Sequence, residues 1–342
     1  MQVRKIAFTL CLGLAVTLFS SAALAQYQLA NLVSNQVGEA RHIDPLQVNG
    51  WGLVYGPGGP FWVSDQGSGW STLYNGQGVK KALEVLIPSA GAGPGQPTGI
   101  VFNGSTADFQ VQGWKAVFLF ATLDGTISGW APQSNPNAAI IAVNNSAAHA
   151  VYTGLAITSK PAGNMLYAAD LVDNKVDIYD ANFNLVKSFT DPAVPAGWGP
   201  FNVQDIGGVL YVAFVNIAEG PGGIIDIFQE DGTFVRQLAS GKPLNQPWGF
   251  AIAPNNFGKL SNTLLVSNNT NSGTINAFNL LSGAFVGTVT DKNGKSIVID
   301  QLWGIRFGGG VANNGRTNQL FFTAGPANNL TGTFGVITPA SN

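Results

Sequence analysis

Pro247-Trp248-Gly249-Phe250-Ala251-Ile252 decides the architecture, because it is one copy of a recurring stretch. An aromatic or Thr followed by Gly and apolar residues also stands at Trp51-Gly52-Leu53, Thr98-Gly99-Ile100, Thr153-Gly154-Leu155 and Trp303-Gly304-Ile305, with Phe201-Asn202-Val203 as the degenerate copy. Successive copies lie 47, 55, 48, 47 and 55 residues apart. A repeat of roughly 40–50 residues built of short strands is the mark of a β-propeller blade. Six copies predict an all-β, six-bladed β-propeller.

Each copy begins a set of strand-like runs. The second is apolar and β-prone, as in Phe61–Asp65, Leu166–Asp170 and Leu264–Asn268, and a Gly/Asn turn leads to a third. Fourth strands are expected near 83–87, 139–143, 185–189, 234–238 and 284–289. The sixth repeat has none, since only five residues come after Ile337. Tyr27–Ser34 alternates like a strand and stands alone ahead of the first repeat. It is expected to complete the last blade and leave no open sheet edge. The domain is then 27–338. Gly after the aromatic is expected where six inner strands crowd around the axis and a Cβ would collide. Asn202 breaks that rule and is expected to project into the channel. The longer spacings predict extra loops near 144–150, 254–262 and 308–318.

Arg4 and Lys5, an apolar run from Ile6 to Leu18 and the ending Ala23-Leu24-Ala25 have the order of a secretory signal. Residues 1–25 are therefore expected to be removed, giving a secreted or periplasmic protein without a membrane span. Cys11 is the single cysteine and leaves with that segment. The mature chain then has neither disulfide nor thiol chemistry. Without Arg4 and Lys5 the chain has 14 basic against 18 acidic residues, a net charge of −4. That balance excludes the basic footprint of a nucleic-acid binder. A monomer is expected.

The segments Asn49-Gly50-Trp51-Gly52-Leu53, Asp124-Gly125-Thr126-Ile127-Ser128-Gly129-Trp130, Pro247-Trp248-Gly249 and Leu302-Trp303-Gly304-Ile305-Arg306-Phe307 resemble the NHL-type and gluconolactonase-like six-bladed propellers. More closely, the chain is similar to an uncharacterised family of secreted bacterial propellers. Some of its members end in a PEP-CTERM sorting tail, absent from Thr338-Pro339-Ala340-Ser341-Asn342. The resemblance implies a fold and an exported address, not a reaction.

Three sets of residues are candidates for chemistry. Asp65, Asp170 and Asn268 occupy one position of the second strand in different blades. Converging on the axis, they would offer oxygen donors to Ca²⁺ or another divalent cation in the central channel. Gluconolactonase-like propellers use such an ion to polarise a lactone. That pattern also needs a Glu at the first inner strand, which Asn49-Gly50-Trp51-Gly52 lacks. The competing reading is that these side chains stabilise the adjoining turns. Trp51, Phe201, Trp248 and Trp303, with Asn202, form the second set. They are expected either to rim one mouth of the channel as a ligand platform or to wedge between blades as core. His42 with Asp44 is the third set, a weak acid–base pair whose alternative is an ordinary loop. The expected function is a propeller that binds a small molecule, polysaccharide or protein through one face. A metal-dependent lactonase- or esterase-like hydrolase is the alternative.

Overall fold

The computed structural model describes residues 27–159 and 163–340; the segment expected to be a signal, 1–25, lies outside them. Six antiparallel sheets form the blades. Blade 1 comprises Gly50–Val54, Phe61–Asp65, Trp70–Tyr74 and Val85–Leu86. Blade 2 comprises Pro97–Phe102, Phe118–Thr122, Thr126–Trp130 and Ile140–Asn144. Blades 3, 4 and 5 begin with the inner strands Tyr152–Thr158, Trp198–Asp205 and Pro247–Ile252 and run outward through three more strands each. Blade 6 has only Leu302–Phe307, Leu320–Ala324 and Thr333–Pro339 from its own repeat.

Its fourth strand is Tyr27–Ser34. Leu29 pairs with Ile337 and Val33 with Phe334, antiparallel. Tyr27 donates its hydroxyl to the Phe257 carbonyl at 2.7 Å and packs its ring against Phe257 of blade 5. Leu32 and Val33 are buried between blades 6 and 1. The sequence order thus closes the ring with hydrogen bonds across its two ends, as the missing strand predicted.

The core is divided in the same way. Six buried apolar clusters fill the six blade-to-blade interfaces. A seventh, Trp51, Phe201, Val215, Trp248 and Trp303, lies on the axis. Period-2 alternation supplies the wedges, since the two faces of each sheet meet two different neighbours.

One loop expectation is corrected. Much of the extra length of repeat 2 lies in 103–117, which carries a small hairpin, Gln110–Val111 with Trp114–Lys115. Residues 144–150 hold only a short 3₁₀ turn, Ser146–Ala148. The segments 103–117, 253–263 and 308–319 all join a first strand to a second, so they share one face of the ring. No helix among the described residues is long and apolar enough to cross a membrane.

Candidate functional site

The recurring motif is a β-bulge in every blade. Tyr152 faces Asp170 and Gly154 faces Ala169, which leaves Thr153 as the extra residue. Pro200 and Asn202 flank Phe201 in the same way. Blades 1, 2, 5 and 6 each add one residue to the inner strand at the same place. An extra residue breaks the in–out alternation and re-aims a side chain. The aromatic therefore turns to the axis while the Gly after it abuts the next blade. A Cβ on Gly154 would lie 2.7 Å from the Asn202 Cα, and one on Gly304 2.6 Å from the Trp51 carbonyl oxygen.

Trp51, Phe201, Trp248 and Trp303 meet one another rather than wedging between blades. Trp51 stacks on Trp303 with centroids 3.6 Å apart and stands edge-on to Trp248 and Phe201 at 6.2 Å. Blades 2 and 3 carry Thr98 and Thr153 at this position, which leaves room for four rings in the ring of six. Trp248 Nε1 donates across the channel to the Thr153 carbonyl at 3.0 Å. Trp303 Nε1 donates to Asn49 Oδ1 at 2.9 Å. Trp51 Nε1 is buried without a partner. The cluster is a plug, buried and on the axis.

Asn202 takes the place of a channel Gly. Its amide donates to the Trp248 carbonyl at 2.7 Å, which replaces a steric fit by a hydrogen bond. Sequence reasoning missed two residues with the same duty. Ser267 Oγ accepts from Gly249 N and donates to the Trp303 carbonyl at 2.6 Å. Thr323 Oγ1 accepts from Gly304 N and donates to the Trp51 carbonyl at 2.6 Å. Their signal was a hydroxyl at the fourth place of an otherwise apolar second strand.

On one side of the plug lies a cavity of about 750 Å³. Trp51, Phe201 and Trp303 form its floor, and its wall is dominated by carboxamides, among them Asn216, Asn245, Gln246, Asn269, Asn271 and Gln301. Glu219 is the sole ionisable side chain among these lining residues. Several amides are half used. Gln246 donates to the Gly220 carbonyl, Asn216 accepts from Ala218 N and Asn245 from Gly222 N. Each keeps one amide end without a partner among the described residues. Gln246 and Gln301, two residues before their Trp, have left-handed backbones with φ of 51° and 48°. That conformation is sparsely populated for Gln and costs on the order of 1–3 kcal/mol. It is held by backbone hydrogen bonds, Asn269 N to the Gln246 carbonyl and Gly325 N to that of Gln301.

The remaining candidates are occupied elsewhere. Asp65 Oδ2 accepts from the Thr72 amide and hydroxyl at 3.0 and 2.7 Å, and its other oxygen is buried without a partner. Asp170 accepts from Val151 N at 3.0 Å. Asn268 accepts from Asn245 N and donates to the Pro243 carbonyl. Each is committed within its own blade or the loop leading into it, which is the turn-stabilising role. Burial, as the largest cause, pushes the Asp65 carboxyl well above its ordinary range and raises that of Asp170. Among the described residues no three His, Cys, Asp or Glu side chains lie close enough to hold an ion. The donors present do not fit a channel cation. His42 lies on a two-residue strand beside Val33. Asp44 does not serve it: its carboxylate accepts from Tyr74 at 2.7 Å and Lys80 at 2.8 Å.

Fold and site define a six-bladed β-propeller with a sealed channel and an amide-walled cavity on one face. No known family model matches the chain. The uncharacterized protein R648 of Acanthamoeba polyphaga mimivirus is 31% identical over 336 residues, covering 92% of this chain and 81% of that one. The uncharacterized protein L690 of the same virus is 32% identical over 307 residues, covering 83% and 79%. The chain belongs to the family of these proteins. Among solved structures, virginiamycin B lyase from Staphylococcus aureus is similar with a TM-score of 0.55 at 12% identity, covering 92% of this chain and 99% of that one. A protein of unknown function from Bacteroides thetaiotaomicron gives 0.56 at 10% identity, covering 92% and 76%. Likeness at such identity concerns the fold alone. The relatives named are viral, where the resemblance had pointed to secreted bacterial proteins.

Proposed function

We propose that the protein is a binding propeller whose amide-walled cavity takes a neutral, hydroxyl-rich small molecule, a saccharide. The observation that carries this is the set of half-used carboxamides around an aromatic floor. A carboxamide offers both a donor and an acceptor without charge, as a sugar hydroxyl requires. Aromatic surface beneath it suits the apolar C–H face of a sugar ring. A concave site with an apolar base and a few placed polar groups is the usual form of a small-molecule pocket. Strained Gln246 and Gln301 support the reading, because unfavourable backbone conformations concentrate at functional positions. We also infer that binding takes place outside the cytoplasm, on the strength of the signal-like order of residues 1–25.

The test is a glycan-array screen of the purified protein, and then calorimetry on any hit. Asn271→Ala with Gln301→Ala is expected to weaken a hit by tenfold or more without changing the melting temperature substantially. An array without a hit, or a hit indifferent to both substitutions, contradicts the proposal. Peptide sequencing of the exported protein should begin after Ala25.

A further inference from the structure

Arg306 stands two residues beyond the channel Gly of blade 6, where the other inner strands carry Val54, Val101, Ala156, Gln204 and Ala251. It lines a cavity of about 260 Å³ inside the ring and the shallow vestibule of about 270 Å³ beside it. Trp248 borders this cavity, whereas Trp51, Phe201 and Trp303 floor the amide-walled one. The aromatic plug therefore separates the two.

Among the described residues the guanidinium is partnered by Tyr55 alone. Its Nε is buried without a hydrogen bond. Ion pairs between described residues are made by Lys80 and Lys175, none by Arg306. Its Cζ lies 4.8 Å from the centre of the Tyr55 ring, and Tyr55 is fixed by its hydroxyl donating to the Phe307 carbonyl at 3.1 Å. Asp205 lines the same cavity and accepts from Gly208 N at 3.0 Å, but it is not an ion-pair partner of Arg306. Arg306 is half-buried, so its charge is partly withdrawn from water, and a cation over an aromatic face offsets only part of that loss. Arg stays protonated under such pressure, and its planar fork matches an oxyanion with two parallel hydrogen bonds. Leu53, Ile100, Leu155, Val203 and Ile305 make much of the remaining wall. The space exceeds a bare inorganic ion, and these aliphatic side chains share its wall with Asn202, Gln204 and exposed backbone.

We propose that this cavity is a second binding site, which holds the carboxylate of a small organic acid on Arg306 and its apolar body against the inner strands. It is independent of the saccharide reading and stands or falls separately.

The test uses the full chain, with benzoate and 4-methylpentanoate as probes, benzamide as the neutral isostere of benzoate, and inorganic phosphate as the bare ion. Calorimetry is expected to show at least one acid binding tenfold or more tighter than benzamide. The Arg306 Nε–H signal in ¹⁵N spectra should move with that acid and not with benzamide. Arg306→Gln should cost the acid tenfold or more, and Arg306→Lys less. Acids binding no better than benzamide, phosphate binding where both acids are silent, or unchanged affinity in Arg306→Gln would each overturn the proposal. Should Arg306→Gln not fold, the Nε–H titration of the unaltered protein decides: an unmoved signal overturns it.

Discussion

Trp51 of the first blade lies flat on Trp303 of the last, ring centroids 3.6 Å apart and planes inclined by 19°. The contact sits at the seam where the two ends of the chain meet. Ring closure and channel sealing are thus linked. Trp51→Ala is expected to cost about 3–5 kcal/mol, the usual range for a buried aromatic. It should also open a passage between the two cavities. Chemical denaturation measures the first effect, and faster quenching of the remaining Trp fluorescence by acrylamide measures the second.

The outer seam carries its own weight. Leu32 is buried beside Phe334 and Phe61, within the cluster between blades 6 and 1. Leu32→Ala should destabilise by about 2–5 kcal/mol. Leu29→Ala on the same strand, at an exposed position, should change little. Urea midpoints for the two variants check the contrast.

Asp226, on the third strand of blade 4, gives a pH dependence. Burial, reinforced by Asp191, pushes its carboxyl up to about 8 from an ordinary 3.8. Between those values the folded state holds a proton that the unfolded chain has released. Stability from this group is therefore full below about 3.8 and falls as pH rises towards 8, by about 1.4 kcal/mol per unit. Asp65 acts in the same direction. Asp226→Asn is expected to flatten part of the decline and to raise the urea midpoint at pH 8 relative to pH 5. An unchanged slope would show that Asp226 is ionised in the fold.

Asp65, Asp170 and Asn268 each satisfy groups of their own blade or its entry loop. Elemental analysis of the purified protein should accordingly find no stoichiometric divalent cation. Added Ca²⁺ should leave the melting temperature where it was, and Asp170→Ala should alter stability without altering metal content.

Blade number, strand order and closure were legible because they depend on spacing and on the strand missing after Ile337. The bulge was not. It adds one residue at the same place in all six repeats, so it leaves the period unchanged while reversing the faces that strict alternation assigns to Trp51, Trp248 and Trp303. Their role emerged only from the axis on which they meet. The carboxamide wall was equally hidden, since Asn216, Gln246, Asn271 and Gln301 come from separate loops and share no motif. Arg306 had a visible signal, a lone cation in a column of apolar and amide residues, but that column emerges only once the six bulges are aligned.

Saccharide binding is tested most directly by the indole Nε–H signals of the ¹⁵N-labelled full chain while a panel of oligosaccharides is added. Trp51 and Trp303 floor the amide-walled cavity, whereas Trp62 and Trp130 are buried between blades 1 and 2. A sugar that binds is expected to move the first pair and leave the second in place. Indole signals unmoved by every sugar, or all moved alike, would contradict a saccharide site above the plug.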